Sequence, residues 1–136
     1  MQKVLFAYDG SVQARKAVEC FSWWPAESLE VIVLTAVKGP ALNEMGDAVD
    51  IDPDTRARAE GRLSEVQTLL REKGIACLCR ITAGDPRDVI IETAMSEPFD
   101  LIVIGSRGLN FASRMLLGSV STEVAQRAPC PVLLVH

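Results

Sequence analysis

LIVIGSRGLNFASRMLLGSVST, residues 101–122, joins two unlike halves. Leu101–Ile104 is a short apolar run without alternation, the pattern of a strand buried on both faces in a parallel sheet. From Gly105 onward the chain turns to Gly105, Gly108 and Gly118, with Arg107 and Arg114 between them and Ser119 and Ser121 behind. Glycine lets backbone N–H groups approach an anion closely, and a helix N-terminus adds unpaired N–H groups and partial positive charge. A strand running into Gly105-Ser106-Arg107-Gly108, then a helix opened by Gly118-Ser119-Val120-Ser121, therefore predicts a phosphate cradle at a strand end.

Four further apolar runs surround this one: Val4–Tyr8, Val31–Val37, Ile75–Ile81 and Val132–Val135. The run Ile75–Ile81 alternates, which suits an edge strand. Helical patterns fill the gaps. Ser11 caps a helix with Ala14, Ala17, Val18 and Phe21 on one face, and Asp52-Pro53 or Asp54 starts a longer one through Thr55–Lys73, stopped by Gly74. Leu63, Val66, Leu69 and Leu70 turn inward from it. Asp85-Pro86-Arg87-Asp88 combines a cap, a first-turn proline and an acid near the positive end, with Val89, Ile90, Thr93 and Ala94 facing the sheet. The last helix spans about Ser119 to Arg127, ended by Pro129 and Pro131.

The order β-α-β-α-β-α-β-α-β predicts a Rossmann-like, open parallel sheet with helices on both faces and right-handed crossovers. Its 136 residues suit one domain, residues 1–136. Lys38–Asp54, with Gly39, Pro40, Gly46 and Pro53, reads as a long loop over one end of the sheet. Ligands in such sheets sit beyond the carboxyl ends of the strands, where strand order reverses. Asp9-Gly10-Ser11 and the segment from Gly105 would meet there.

A net charge of −4 and 5% aromatic residues argue against nucleic-acid binding and an acidic membrane surface. One lysine and five uncharged residues before Asp9 do not make a signal peptide, and no apolar run reaches membrane-span length, so a cytoplasmic location is expected. Cys20, Cys77, Cys79 and Cys130 form no C-x-x-C pair and read as core thiols, with Cys77 and Cys79 on one strand face. Asp47, Asp50, Asp52 and Asp54 lack the glycine and glutamate spacing of a calcium loop. Trp23-Trp24-Pro25 reads as core packing and a helix stop.

Familiar phosphate loops are absent: there is no G-x-x-x-x-G-K-[ST], and Asp9-Gly10-Ser11 follows the first strand in place of G-x-G-x-x-G. Nor is there a G-x-S-x-G, and the single histidine, His136, is the last residue, so no catalytic residue is assigned.

Gly105-x-x-Gly108, nine residues, then Gly118-Ser119 is similar to the G-x2-G-x9-G-[ST] pattern of the universal stress protein family, in its ATP-binding branch. VLFAYDGS at the start, Gly84-x-Pro86, Asp100–Gly108 and Ala128–Val135 extend the resemblance over nearly the whole chain. The resemblance implies sheet order 3-2-1-4-5 and a nucleotide-responsive module in stress response. It implies bound ATP, with Mg2+ or Mn2+ carried on the phosphates. Asp9 would contact the ribose hydroxyls and the Ala36 backbone the adenine edge. Ala7, Tyr8 and Ile104 would border the nucleotide, while Gly105, Arg107 and Gly108 line the phosphates. Gly118, Ser119, Val120 and Ser121 would complete the cradle. Arg114 is read as surface.

Two departures point to a more open site: a shorter Lys38–Asp54 loop, and Ala36 where a bulkier aliphatic residue is usual. Family members pair their last strand across a two-fold axis, which implies a homodimer through Pro131–Val135. Slow hydrolysis, or a dimeric interaction module without a working site, are the alternatives.

Overall fold

The computed structural model describes residues 1–38, 51–107 and 118–136. Five strands form one sheet: β1 (Gln2–Ala7), β2 (Leu29–Val37), β3 (Cys77–Ala83), β4 (Leu101–Gly105) and β5 (Val132–Val135). Their order is β3-β2-β1-β4-β5 and every pairing is parallel. Four α-helices join them: α1 (Val12–Cys20), α2 (Pro53–Glu72), α3 (Pro86–Ser96) and α4 (Ser119–Arg127). The order reverses at β1, between β2 and β4, which opens the crevice expected of a doubly wound sheet. Most of the loop read at Lys38–Asp54 lies outside the described residues, as do Gly108, Arg114, Asp47 and Asp50.

Helix starts follow the local chemistry. Ser11 Oγ accepts the Ala14 N–H at 3.1 Å, Asp52 accepts that of Thr55 at 3.1 Å, and Asp85 accepts that of Arg87 at 2.9 Å. Each bond satisfies a donor that the first helical turn leaves without a partner. Pro53 and Pro86 then occupy first-turn positions, where a missing N–H costs nothing. Gly74, at φ +77°, ends α2 in a backbone conformation costly for other residues.

Side chains alternate across the doubly covered strands and divide the core in two. Val4, Phe6, Val31, Val33 and Val103 pack beneath α1 and α2 with Ala17, Val18, Phe21, Val66 and Leu70. Leu5, Ile32, Leu34, Ile102 and Ile104 pack beneath α3 and α4 with Val89, Ile90, Ile91, Ala94 and Val124. Cys77, Cys79 and Ile81 of the edge strand β3 pack against the first cluster, while Leu78 between them is 63% exposed. All four cysteines are free thiols.

Three readings shift. Tyr8 and Ile75 lie outside the strands that their apolar runs suggest; Tyr8 follows β1 and donates its N–H to Leu34 at 2.9 Å, and Ile75 donates to Leu70 at the end of α2. Trp23 is not core: the chain tightens into a 3-10 turn over Phe21–Trp23, which buries Phe21 and turns Trp23 outward at 67% exposure. Trp24 alone packs on the core. Among the described residues no helix is long and apolar enough to cross a membrane.

Candidate functional site

A cavity of about 370 Å³ opens at the carboxyl ends of β1, β2 and β4. The parallel register sets Ala7 beside Leu34 on one side and Ile104 on the other, so three apolar side chains form one floor. Ile90 of α3 closes a wall, with Pro86 at the helix start. Opposite stand Gly105 and Arg107 from the end of β4, and Gly118, Ser119, Val120 and Ser121 from the start of α4. Tyr8, Asp9 and Ala36 complete the lining. One side of the cavity is therefore apolar and the other consists of backbone, hydroxyls and a guanidinium.

The opening of α4 supplies the donors. The first bond within the helix runs from the Thr122 N–H to the Gly118 carbonyl at 3.0 Å, so the amides of Ser119, Val120 and Ser121 precede any helical acceptor. Gly118 is the cap residue, and no side chain caps this end. That leaves the positive end of the helix dipole at the cavity, with no acidic side chain in the first turn of α4.

Ser106 ties the polar wall together. Its N–H donates to the Val135 carbonyl at 2.8 Å, and its own carbonyl accepts the Gly118 N–H and the Ser121 hydroxyl, each at 2.7 Å. The Ser121 hydroxyl also stands 3.0 Å from the Gly118 carbonyl. Its single proton is thus engaged within the protein, and Ser121 acts at this site as a clamp between β4 and α4. Ser119, exposed, is the hydroxyl left toward solvent.

Gly105 is glycine for a steric reason. A Cβ there would lie 2.9 Å from the Ala14 backbone nitrogen and 3.0 Å from the Gln13 Cβ, so the end of β4 can lie against α1 only without a side chain. At Gly118 an added Cβ would meet the Ser106 carbonyl at 3.4 Å, an ordinary contact. A Cβ therefore fits at Gly118 and does not fit at Gly105.

Asp9 is half-buried, and its Oδ1 accepts the Ser11 N–H at 2.9 Å. Its other oxygen has no partner among the described residues, so the turn role leaves that oxygen available. Tyr8 borders the cavity, but its ring packs edge-on to Phe6 at 5.6 Å in the opposite cluster. Burial pushes the Tyr8 phenol up, and the neighbouring Arg15 guanidinium works against that. Its hydroxyl lacks a partner at bonding geometry among the described residues.

Of the residues expected at a nucleotide site, Ala7, Tyr8, Asp9, Ala36, Ile104, Gly105, Arg107 and Gly118 to Ser121 all line this one cavity. Gly108 lies outside the described residues. Leu34, Pro86 and Ile90 were not anticipated. Gly84-x-Pro86 offered a signal for Pro86, whereas Leu34 and Ile90 look like any other core aliphatic. His136, the last residue, follows β5 to the end of β4, with Nδ1 3.0 Å from Ser106 Oγ.

Fold, strand order and glycine placement together define a doubly wound α/β protein with a helix start facing the cavity at its switch point. The universal stress protein family model matches residues 1–136, and the chain belongs to that family. It is 42% identical over 140 residues to a universal stress protein of Mycobacterium tuberculosis, covering 98% of this chain and 94% of that one. A second relative, from Thermus aquaticus, is 34% identical, with 98% and 97% covered. Among solved structures, a universal stress protein in complex with cAMP is similar at TM-score 0.77 and 31% identity, covering 99% of this chain and 97% of that one.

Proposed function

We propose that this chain is a nucleotide-responsive binding module that takes an adenine nucleotide, ATP in particular, at the β1–β4 switch point. One observation carries the reading: an apolar floor, a carboxylate with an oxygen unpartnered among the described residues, and a helix start without a side-chain cap line the same cavity. A base would lie on Ala7, Leu34, Ala36, Ile90 and Ile104. Asp9 would accept from ribose hydroxyls. The amides opening α4, with Ser119 and Arg107, would receive the phosphates, and Ser106 and Ser121 would hold that wall in place. The related protein solved with cAMP supports the nucleotide class. A divalent ion, Mg2+ or Mn2+, would arrive on the phosphates.

Among the described residues none stands out as a nucleophile or general base toward such a ligand; we read the module as acting by binding, with slow hydrolysis as the alternative. We also propose that residues 1–136 act as a single cytoplasmic domain. Homodimerisation through Pro131–Val135 follows from β5, an apolar strand at the sheet edge that is paired on one side only. A single monomeric species at micromolar concentration in sedimentation would refute the dimer.

The site is tested by acid extraction and chromatography of freshly purified protein, beside a Gly118→Val variant whose folding is checked by circular dichroism. ATP or ADP in the wild type and none in the folded variant is the expected result. Wild-type protein that is empty and fails to bind added Mg-ATP overturns the reading and leaves an interaction module in its place.

A further inference from the structure

Cys77 and Cys79 are used by neither the cavity nor the proposed dimer edge. They alternate with exposed Leu78 on β3, share the face that packs toward α2, and remain partly exposed. β3 is the last strand of its sheet edge, so no further strand covers its outer side.

Geometry selects what such a pair can do. Same-face positions two apart on a strand are separated by about 6.6 Å, two rises of about 3.3 Å. A disulfide needs Cβ atoms about 3.5–4.5 Å apart, so the two sulfurs cannot join without breaking the strand. A single ion held linearly between two thiolates needs sulfurs about 4.6 Å apart, twice a metal–thiolate bond of about 2.3 Å. Rotation of each Sγ toward the other about its Cα–Cβ bond closes that gap. Among the described residues, no group of three or more His, Cys, Asp or Glu side chains could hold a metal, so a tetrahedral zinc set is not available here. Two soft donors without further ligands suit a soft, two-coordinate cation.

We propose that Cys77 and Cys79 form a binding site for a soft monovalent cation of the Cu(I) type on the edge strand. One ion binds as Cu(I) plus two thiols giving a linear dithiolate and two released protons. The surrounding Val31 and Val33 of β2 are apolar and contribute no competing donor.

The test uses the full, reduced chain under anaerobic conditions, with Cu(I) titrated against a chromogenic Cu(I) chelator. One ion per chain is expected. Removing either thiol, by Cys77→Ala or Cys79→Ala, should weaken binding by about a hundredfold or more, because the second donor acts intramolecularly. Cys20→Ala and Cys130→Ala should leave it unchanged. X-ray absorption on the wild type keeps the proposal open to refutation if both alanine variants unfold, because it should find two sulfur neighbours per copper. One sulfur neighbour, or Cys77→Ala and Cys79→Ala no weaker than Cys130→Ala, overturns the site.

Discussion

The two faces of the sheet use the same strands and nearly the same residue types, yet one is sealed and the other opens. Beneath α1 and α2, Phe6 packs on Phe21 at 5.1 Å and on Tyr8 at 5.6 Å, and all three rings are buried. Beneath α3 and α4 the sheet presents Ala7 and Ala36 at the corresponding end, and no aromatic residue among the described ones fills the space above them. The difference is one of side-chain volume. Large rings at one strand end complete a core, while alanines at the other leave a cavity whose far wall is a helix start. What distinguishes the two is where packing stops, since both are apolar in composition.

Truncation should separate the faces most strongly. Phe6→Ala removes a fully buried ring and is expected to cost about 3–5 kcal/mol, whereas Ile90→Ala, beside an existing cavity, should cost about 2 kcal/mol. Urea unfolding of both variants checks this, and equal losses would mean that the cavity is not a standing feature of the fold. Gly105→Ala follows, at about 1–3 kcal/mol, because its methyl group must displace the backbone of α1. A thermal midpoint equal to wild type would show that β4 and α1 are not in close contact.

Smaller effects test the polar wall and the helix opposite it. Ser121→Ala should lower stability by about 1 kcal/mol, since the Ser106 and Gly118 carbonyls keep their backbone donors. The same variant should weaken nucleotide binding by loosening the start of α4; unaltered binding in equilibrium dialysis would make the clamp irrelevant to the site.

The smallest change concerns Asp85, whose carboxyl is held down to about 2 by the Arg87 side chain and then by the Arg87 backbone N–H. A carboxylate depressed in the folded state adds stability above its ordinary range near pH 4, and that stability is lost as pH falls through about 2. The midpoint difference between wild type and Asp85→Asn should therefore be present at pH 7 and disappear near pH 2. A difference that persists at pH 2 would assign the effect to something other than charge.

Local signals in this chain were legible because they act within a few residues. Ser11, Asp52 and Asp85 each bond an amide two or three positions ahead, so their roles as caps are written next to them. Unbroken Val, Ile and Leu runs announced strands covered on both sides, and the alternation around Cys77 and Cys79 announced an edge. Glycine spacing was legible too, though it does not tell why each glycine is there. Gly105 answers to the backbone of α1, more than ninety positions away in sequence, while a Cβ at Gly118 would meet Ser106 and Arg107 only at ordinary contact distances.

Sequence by itself thus determined the elements, their order and the neighbourhood of the candidate site, because periodicity, caps and turns depend on local bonds. Only the tertiary structure decided which face each side chain serves and where volume is missing. It turned the Tyr8 ring away from the cavity it borders, brought Leu34, Pro86 and Ile90 to its lining, and carried His136 to Ser106. Those outcomes depend on strand register and on contacts between residues far apart in the chain. No short stretch contains them.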